Sequence, residues 1–150
     1  YLRIYIAEEL PKQAYFLRAI ARNPEKLKQT DIEANEVLKE ELTKPASITE
    51  SCKDIDVVIE VLDARMPQAS SNPMLKAMRK GKPCLHVLNK ADLANPHITR
   101  EWLDYYNAQP LAYAATSSKE KRLETSDVLF LCQKLMRKVN AAKPVVEEVA

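Results

Sequence analysis

The sequence predicts an α/β fold, a short parallel sheet preceded by an N-terminal helical segment. After residue 51, short apolar runs alternate with capped helical segments, which is typical of parallel strands joined by helical crossovers. Before that point, the apolar residues between Pro11 and Leu42 recur at helical spacing. The average length of a globular domain also suits one main unit. We therefore predict an N-terminal helical segment over residues 1–50 and an α/β domain over residues 51–150.

The N-terminal segment is expected to contain two helices. In the first, the apolar residues from Ala14 to Ala21 fall on one face. Asn23 and Pro24 are suited to the cap and first turn of the second helix, since proline is favoured at the first helical position. That helix has a thin apolar stripe and many charges, and Pro45 is expected to end it.

The α/β unit follows the order strand, helix, three times. The strands are predicted at Val57–Leu62, Pro83–Leu88 and Leu111–Ala115. The helices are predicted to begin at the caps Asn72-Pro73, Asn95-Pro96 and Ser126, and the first of them to close at Gly81. Parallel sheets normally continue on both sides. The first strand would therefore leave an exposed apolar edge, open to self-association or to a partner, unless other strands pair with it.

Composition excludes several classes of function. A phosphate loop GxxxxGK[ST] needs two glycines and a dinucleotide fingerprint needs three, but the chain has one. A net charge of +2 gives no strong electrostatic reason to bind nucleic acid. Three widely spaced cysteines fit a reducing compartment better than a disulfide framework, and no apolar run is long enough to span a membrane, so we expect a cytoplasmic protein.

Polar clusters follow each predicted strand, where open α/β sheets bind ligands. The second cluster, Asn89-Lys90-Ala91-Asp92, has the form NKxD. The Asp92 carboxylate can accept hydrogen bonds from both N1–H and the N2 amine of guanine, whereas adenine offers no such pair. Asn89 can reach the base edge, and the Lys90 stem can lie across the ring. A solvated turn, with Asn89 as its cap, explains the same residues without a ligand.

The stretches DVVIEVLDARMPQASSNPML, from Asp56, and KPCLHVLNKADL, from Lys82, resemble the circularly permuted GTPases of the YlqF type, which act in ribosome assembly. The resemblance is clear from Asp56 to about Tyr106 and weaker to Lys143. In that family the guanine motifs precede the phosphate loop. The resemblance therefore implies a partial P-loop-GTPase-like three-layer sandwich, and a fragment that ends before the P-loop.

The resemblance also implies functional residues and partners. Asn89, Lys90 and Asp92 take the guanine-specificity positions, and the second base-contacting loop is expected at three further residues, Ser117, Ser118 and Lys119. GTP is the implied ligand, with Mg²⁺ only in a complete G domain, and the large ribosomal subunit or its RNA is the implied partner. GTPase activity follows from the family alone, and we expect the 150-residue chain itself to be inactive.

Other residues are assigned to structure. Asp63 and Arg65 of the family's DAR signature are equally compatible with an ion pair and a ligand role. Cys84 and His86 share a strand face but lack further ligands nearby in sequence, so packing is preferred to zinc binding. Glu60 interrupts an apolar strand and is expected beside a basic or backbone donor. We assign no catalytic residue and no metal ligand. The alternative function is a non-catalytic module that binds protein or ribosomal RNA.

Overall fold

The structure is a computed structural model, and it describes residues 3–10, 14–21, 36–39 and 55–143. The strands are β1 Arg3–Leu10, β2 Ala14–Ala21, β3 Glu36–Lys39, β4 Val57–Asp63, β5 Cys84–Asn89 and β6 Ala112–Thr116. The helices are α1 Pro67–Ser70, α2 Pro73–Met78, α3 Pro96–Asn107 and α4 Thr125–Ala142, with a 3₁₀ turn at Ala91–Leu93. The strands form one sheet in the order β3-β2-β1-β4-β5-β6.

The parallel part of the sheet confirms the predicted fold class. β4 pairs with β5 and β5 with β6, all parallel, and each strand lies within one residue of its predicted bounds. Most residues of β4 and all but the last of β5 are buried, as expected for strands covered on both faces. The register aligns Asp63 with Asn89 and Leu88 with Thr116, so the carboxyl ends of the three strands meet at one edge.

Helices cover both faces of this parallel part. Alternate residues point to opposite faces of a strand. One face carries Val57 and Ile59 of β4 and Leu85 and Val87 of β5. These side chains pack against α4, whose Leu135 is fully buried. Leu62 and Leu88, on the other face, pack against Tyr106 of α3. The result is a helix–sheet–helix sandwich around two apolar clusters.

The helix caps follow the sequence in two cases out of three. Asn72 and Asn95 cap α2 and α3 by accepting hydrogen bonds from backbone N–H groups of the first turn. Gly81, after α2, has a φ of +76°, a conformation that glycine adopts at no steric cost. The predicted cap at Ser126 is wrong. α4 begins at Thr125, and its N-cap is Glu124. Glu124 forms a capping box with Asp127, so the free backbone N–H groups at the helix start are satisfied by a cap that lies two residues before Ser126.

The prediction of a helical N-terminal segment is wrong for the residues that the structure describes. Ala14–Ala21 and Glu36–Lys39 are strands, and β1 precedes them. β2 pairs with β1 from Ile4↔Ile20 to Leu10↔Ala14 and with β3 on its other side. Backbone pairing across three strands outweighs a weak helical spacing, because propensity gives way to tertiary context. The predicted cap at Asn23-Pro24 and the end at Pro45 lie outside the described residues.

The first predicted strand does not leave an open edge, because another strand of the chain pairs with it. β1 runs antiparallel along the free side of β4, from Arg3↔Val61 to Ala7↔Val57. The backbone groups that we expected to be unpaired are therefore hydrogen-bonded within the chain. Self-association through the edge of β4 loses its physical basis.

Among the described residues, no helix has both the length and the apolar character needed to cross a membrane.

Candidate functional site

The candidate site lies where β4, β5 and β6 end together. Backbone hydrogen bonds continue the sheet into the loops: Ala64 N–H donates to the Asn89 carbonyl at 2.8 Å, and Ser117 N–H donates to the Leu88 carbonyl at 2.9 Å. Three polar clusters that are far apart in sequence thereby share one edge of the sheet. This is the edge at which α/β sheets bind ligands.

The loop after β5 turns sharply at Lys90. Its φ of 59° and ψ of 37° place it in the left-handed region, which costs a non-glycine residue about 1–2 kcal/mol. The 3₁₀ turn of residues 91–93 follows at once, and Leu93 N–H donates to the Lys90 carbonyl at 3.0 Å. The strained residue reverses the chain directly after the strand, and the Asp92 side chain is exposed to solvent beyond it.

The loop after β6 packs against this turn through two hydrogen bonds. Ala91 N–H donates to the Ser117 carbonyl at 3.1 Å, and Lys119 N–H donates to Asp92 Oδ1 at 3.2 Å. The structure thus brings the Asn89–Asp92 and Ser117–Lys119 segments together. A carboxylate has about four acceptor sites, so Asp92 keeps acceptor capacity beyond the bond from Lys119.

Both serine hydroxyls of the second loop hold its shape. Ser117 Oγ accepts from Leu123 N–H at 3.2 Å, and Ser118 Oγ accepts from Lys121 N–H at 3.0 Å. These bonds stabilise the turn between β6 and α4. The two side chains act as loop supports. Among the backbone N–H groups of residues 117–119, that of Lys119 donates to Asp92, whereas those of Ser117 and Ser118 donate to the carbonyls of Leu88 and Lys121.

Asp63 and Arg65, after β4, form an ion pair. Arg65 donates from Nη2 to Asp63 Oδ2 at 2.7 Å and from Nε to Oδ1 at 2.9 Å. These bonds lower the pKa of Asp63 from its usual value to about 2, against the opposing effect of burial. Lys90 Nζ lies 3.8 Å from the same carboxylate, so Asp63 also orients the lysine of the NKxD segment. Of the two earlier interpretations, the geometry favours the ion pair.

A second polar cluster lies inside the sheet, on the face toward α3. Sequence reasoning considered its residues separately, preferred packing to zinc binding for Cys84 and His86, and did not show that they meet Glu60. Glu60 of β4 stands opposite His86 of β5 in register, with Glu60 Oε2 3.3 Å from His86 Nδ1. Cys84 Sγ is 4.0 Å from the same Nδ1. All three side chains are buried. The sequence shows that Glu60 interrupts an apolar strand, but strand register decides which residue faces it.

The expectation that Glu60 has a basic or backbone donor beside it is confirmed. In addition to His86, Ser71 Oγ and Asn72 N–H each donate to Glu60 Oε1 at 3.0 Å. The ring of Tyr106 stacks on His86 with centroids 4.1 Å apart. Each oxygen of the buried carboxylate therefore has polar neighbours.

The cluster opens onto a cavity of about 600 Å³ between α2 and α3. Arg79, Trp102 and Tyr105 also line it. Burial, reinforced by the Glu60 carboxylate, raises the pKa of the Cys84 thiol to about 12, although the Arg79 guanidinium acts in the opposite direction. The cavity is separate from the loops at the carboxyl edge, because none of its lining residues belongs to them.

Comparison with known proteins defines the class. The parallel sheet between helical layers is consistent with a partial P-loop-GTPase-like fold, and the sequence matches proteins that are named as GTPases. The chain is homologous to the ribosome biogenesis GTPase A proteins, which confirms the resemblance to circularly permuted GTPases of the YlqF type. No family model matches the chain.

Three relatives illustrate the match. Ribosome biogenesis GTPase A of Priestia megaterium is 42% identical over 103 residues, covering 65% of this chain and 36% of that protein. The protein of the same name from Bacillus cereus is 51% identical over 59 residues, or 39% of this chain and 20% of that protein. Short integuments 2, mitochondrial, of Arabidopsis thaliana is 32% identical over 91 residues, which cover 61% of this chain and 23% of that protein. The chain therefore spans about a third or less of these relatives.

Proposed function

We propose that the loops at the carboxyl edge of the sheet bind the base of a guanine nucleotide. Asn89, Lys90 and Asp92 form one wall, and the backbone of Ser117–Lys119 forms the other. The observation that carries the proposal is the hydrogen bond from Lys119 N–H to Asp92 Oδ1, which joins two loops that are 27 residues apart. A carboxylate and a backbone N–H donor on facing loops are complementary to the edge of guanine.

The complementarity selects one purine. Guanine presents an N1–H, an N2 amine and an O6 acceptor on adjacent positions, so Asp92 accepts from the first two while Lys119 N–H, released from Asp92 Oδ1 when the base enters, donates to O6. Adenine presents an unprotonated N1 toward the carboxylate and an amine toward the donors. Bound adenine would leave the Asp92 carboxylate and the backbone donor without partners after they have lost their hydrating water, so the site should reject adenine strongly.

The proposed base site also suggests which part of a complete GTPase the chain supplies. Its relatives carry the name ribosome biogenesis GTPase, so we propose that the chain supplies the guanine-recognition part of such a GTPase and that the large ribosomal subunit or its RNA is its partner. The single glycine excludes a phosphate loop within these 150 residues. Base contacts alone give weak binding, and phosphoryl transfer lacks the loop and the Mg²⁺ ligand that it requires.

A calorimetric titration of the chain with GDP, ADP and guanosine tests the proposal. We expect GDP and guanosine to bind more tightly than ADP, and Asp92→Ala to abolish this preference. Asp104→Ala is the matched control, since Asp104 is an exposed carboxylate on α3 away from the two loops. Equal affinity for all three ligands, or a preference that survives Asp92→Ala, contradicts guanine recognition and favours the interaction module.

A second variant tests the hydrogen-bond pattern itself. Xanthine carries a carbonyl where guanine carries the N2 amine. Asp92→Asn replaces one acceptor oxygen by an amide donor, so we expect it to weaken GDP binding and to strengthen binding of xanthosine diphosphate. If both nucleotides weaken equally, Asp92 acts on the loop's shape and not on the base.

A further inference from the structure

The buried cluster of Glu60, Cys84 and His86 has the composition of a metal site. Carboxylate, thiolate and imidazole are the three protein ligands that zinc uses. Their ligand atoms all lie within 4.8 Å of one another, and the three side chains are buried together on one face of the sheet. We propose that Glu60, Cys84 and His86 bind a divalent transition metal ion of the zinc type, with its fourth position open to the cavity.

The distances are close to those of a tetrahedral site. Bond lengths of about 2.0–2.3 Å place two ligands roughly 3.4 Å apart for nitrogen and oxygen and roughly 3.6 Å apart for nitrogen and sulfur. His86 Nδ1 is 3.3 Å from Glu60 Oε2 and 4.0 Å from Cys84 Sγ. The Glu60 and Cys84 ligand atoms lie within 4.8 Å of each other, so side-chain rotations that move ligand atoms by up to about 1 Å would close the site around an ion.

The neighbouring groups already orient two of the ligands. Ser71 Oγ and Asn72 N–H hold Glu60 Oε1, which leaves Oε2 directed toward His86. Tyr106 stacks on the imidazole at an interplanar angle of 22° and fixes the plane of the ring. Such outer contacts are what metal sites use to hold their ligands in place.

Charge and access also suit an ion. The thiolate and the carboxylate supply two negative charges against a divalent cation and the nearby Arg79 guanidinium, and the thiol proton leaves to solvent through the cavity when the metal–sulfur bond forms. The cavity of about 600 Å³ gives an entry path and space for water as the fourth ligand. Arg79 Nη1, which belongs to the same cavity, is buried and has no hydrogen-bond partner among the described residues. An anion or hydroxide on the metal would give this donor an acceptor.

The chain offers matched controls for each ligand. Cys132 is buried like Cys84 but lies in the cluster under α4, on the opposite face of the sheet. His97, the other histidine of the chain, is exposed on α3. A Cys52→Ser background removes the third thiol. The test variants are Cys84→Ser and His86→Gln, and the controls are Cys132→Ser and His97→Gln.

Zinc and cobalt binding to the full chain, without nucleotide, tests the proposal. We expect one Zn²⁺ per chain at micromolar free metal, a thiolate-to-cobalt charge-transfer band with Co²⁺, and at least a tenfold loss of affinity in the two test variants only. No binding to the parent chain, or equal binding by Cys84→Ser and Cys132→Ser, overturns it. X-ray absorption of the zinc-loaded parent chain provides a readout that does not depend on the variants folding. One sulfur and two or more nitrogen or oxygen neighbours are expected, and a shell without sulfur refutes the site.

Discussion

Replacing Glu60 by alanine tests how much the buried carboxylate stabilises the fold. Glu60 is 3% exposed in the middle of β4. The substitution removes the acceptor of two hydrogen bonds, from Ser71 Oγ and Asn72 N–H, and the carboxylate that lies 3.3 Å from His86 Nδ1. It also removes the contact that joins the start of α2 to the sheet, because Asn72 is the N-cap of that helix.

The size of the effect can be worked out from these contacts. Each donor left without a partner in a partly buried position costs about 1–3 kcal/mol. The substitution also leaves the buried His86 Nδ1 without the carboxylate oxygen that lies 3.3 Å from it. We expect Glu60→Ala to lower the free energy of unfolding by about 3–5 kcal/mol. Glu60→Gln retains an acceptor oxygen for the two donors, so about half of that loss is expected.

Urea denaturation followed by circular dichroism, in the presence of a chelator, measures the difference. Glu101→Ala is the control, since Glu101 forms an exposed pair with His97 and such pairs contribute at most about 1 kcal/mol. A loss below about 1 kcal/mol for Glu60→Ala would refute the reasoning. It would mean that water or a rearranged Asn72 replaces the carboxylate at no cost.

Three further predictions follow from the core, the strand ends and the glycine count. Leu135→Ala should lower the free energy of unfolding by about 3–5 kcal/mol, because Leu135 is fully buried under the sheet. Phe130→Ala on the same helix should cost well under half of that, because Phe130 is 60% exposed. Equal losses in urea titrations would contradict the assigned face of α4. Because the folded pKa of Asp63, about 2, lies below its unfolded value, its contribution is present above about pH 4 and lost as the pH falls toward 2. Asp63→Asn should therefore be less stable than the parent by at most about 1 kcal/mol near pH 6, after allowance for solvent screening, and equal to it near pH 2, and a difference independent of pH argues against the ion pair. The 150-residue chain should release phosphate from GTP no faster than buffer alone, since it has no phosphate loop, and turnover typical of a complete GTPase would be inconsistent with that reading.

The parallel half of the fold could be predicted because its signals are local. Apolar runs of strand length, and the caps Asn72 and Asn95, lie in the sequence next to the elements that they define. The N-terminal strands could not be predicted in this way. β1 pairs with its sequence neighbour β2, but its pairing with β4 depends on contacts between residues 50 or more positions apart, such as Ala7 and Val57. Together these pairings outweigh the helical spacing around Ala14–Ala21.

The residues of the candidate base site could be proposed from the sequence, but their arrangement could not. Sequence identified Asn89, Lys90 and Asp92 by residue type and spacing, because hydrogen-bonding chemistry is a property of the side chains themselves. It could not show that Lys90 takes a left-handed conformation, or that Lys119 N–H reaches Asp92. Those features depend on where two loops meet, and strand register decides that.

By itself, the sequence determined which chemical groups the chain carries and roughly where its parallel strands and following helices lie. The tertiary structure alone decided which of those groups meet. Glu60 and His86 are 26 positions apart, yet they face each other in neighbouring strands and share one side of the sheet with Cys84. Side chains alternate between faces with a period of two, so a shift of one residue in register would separate them. Register is set by the packing of the whole sheet.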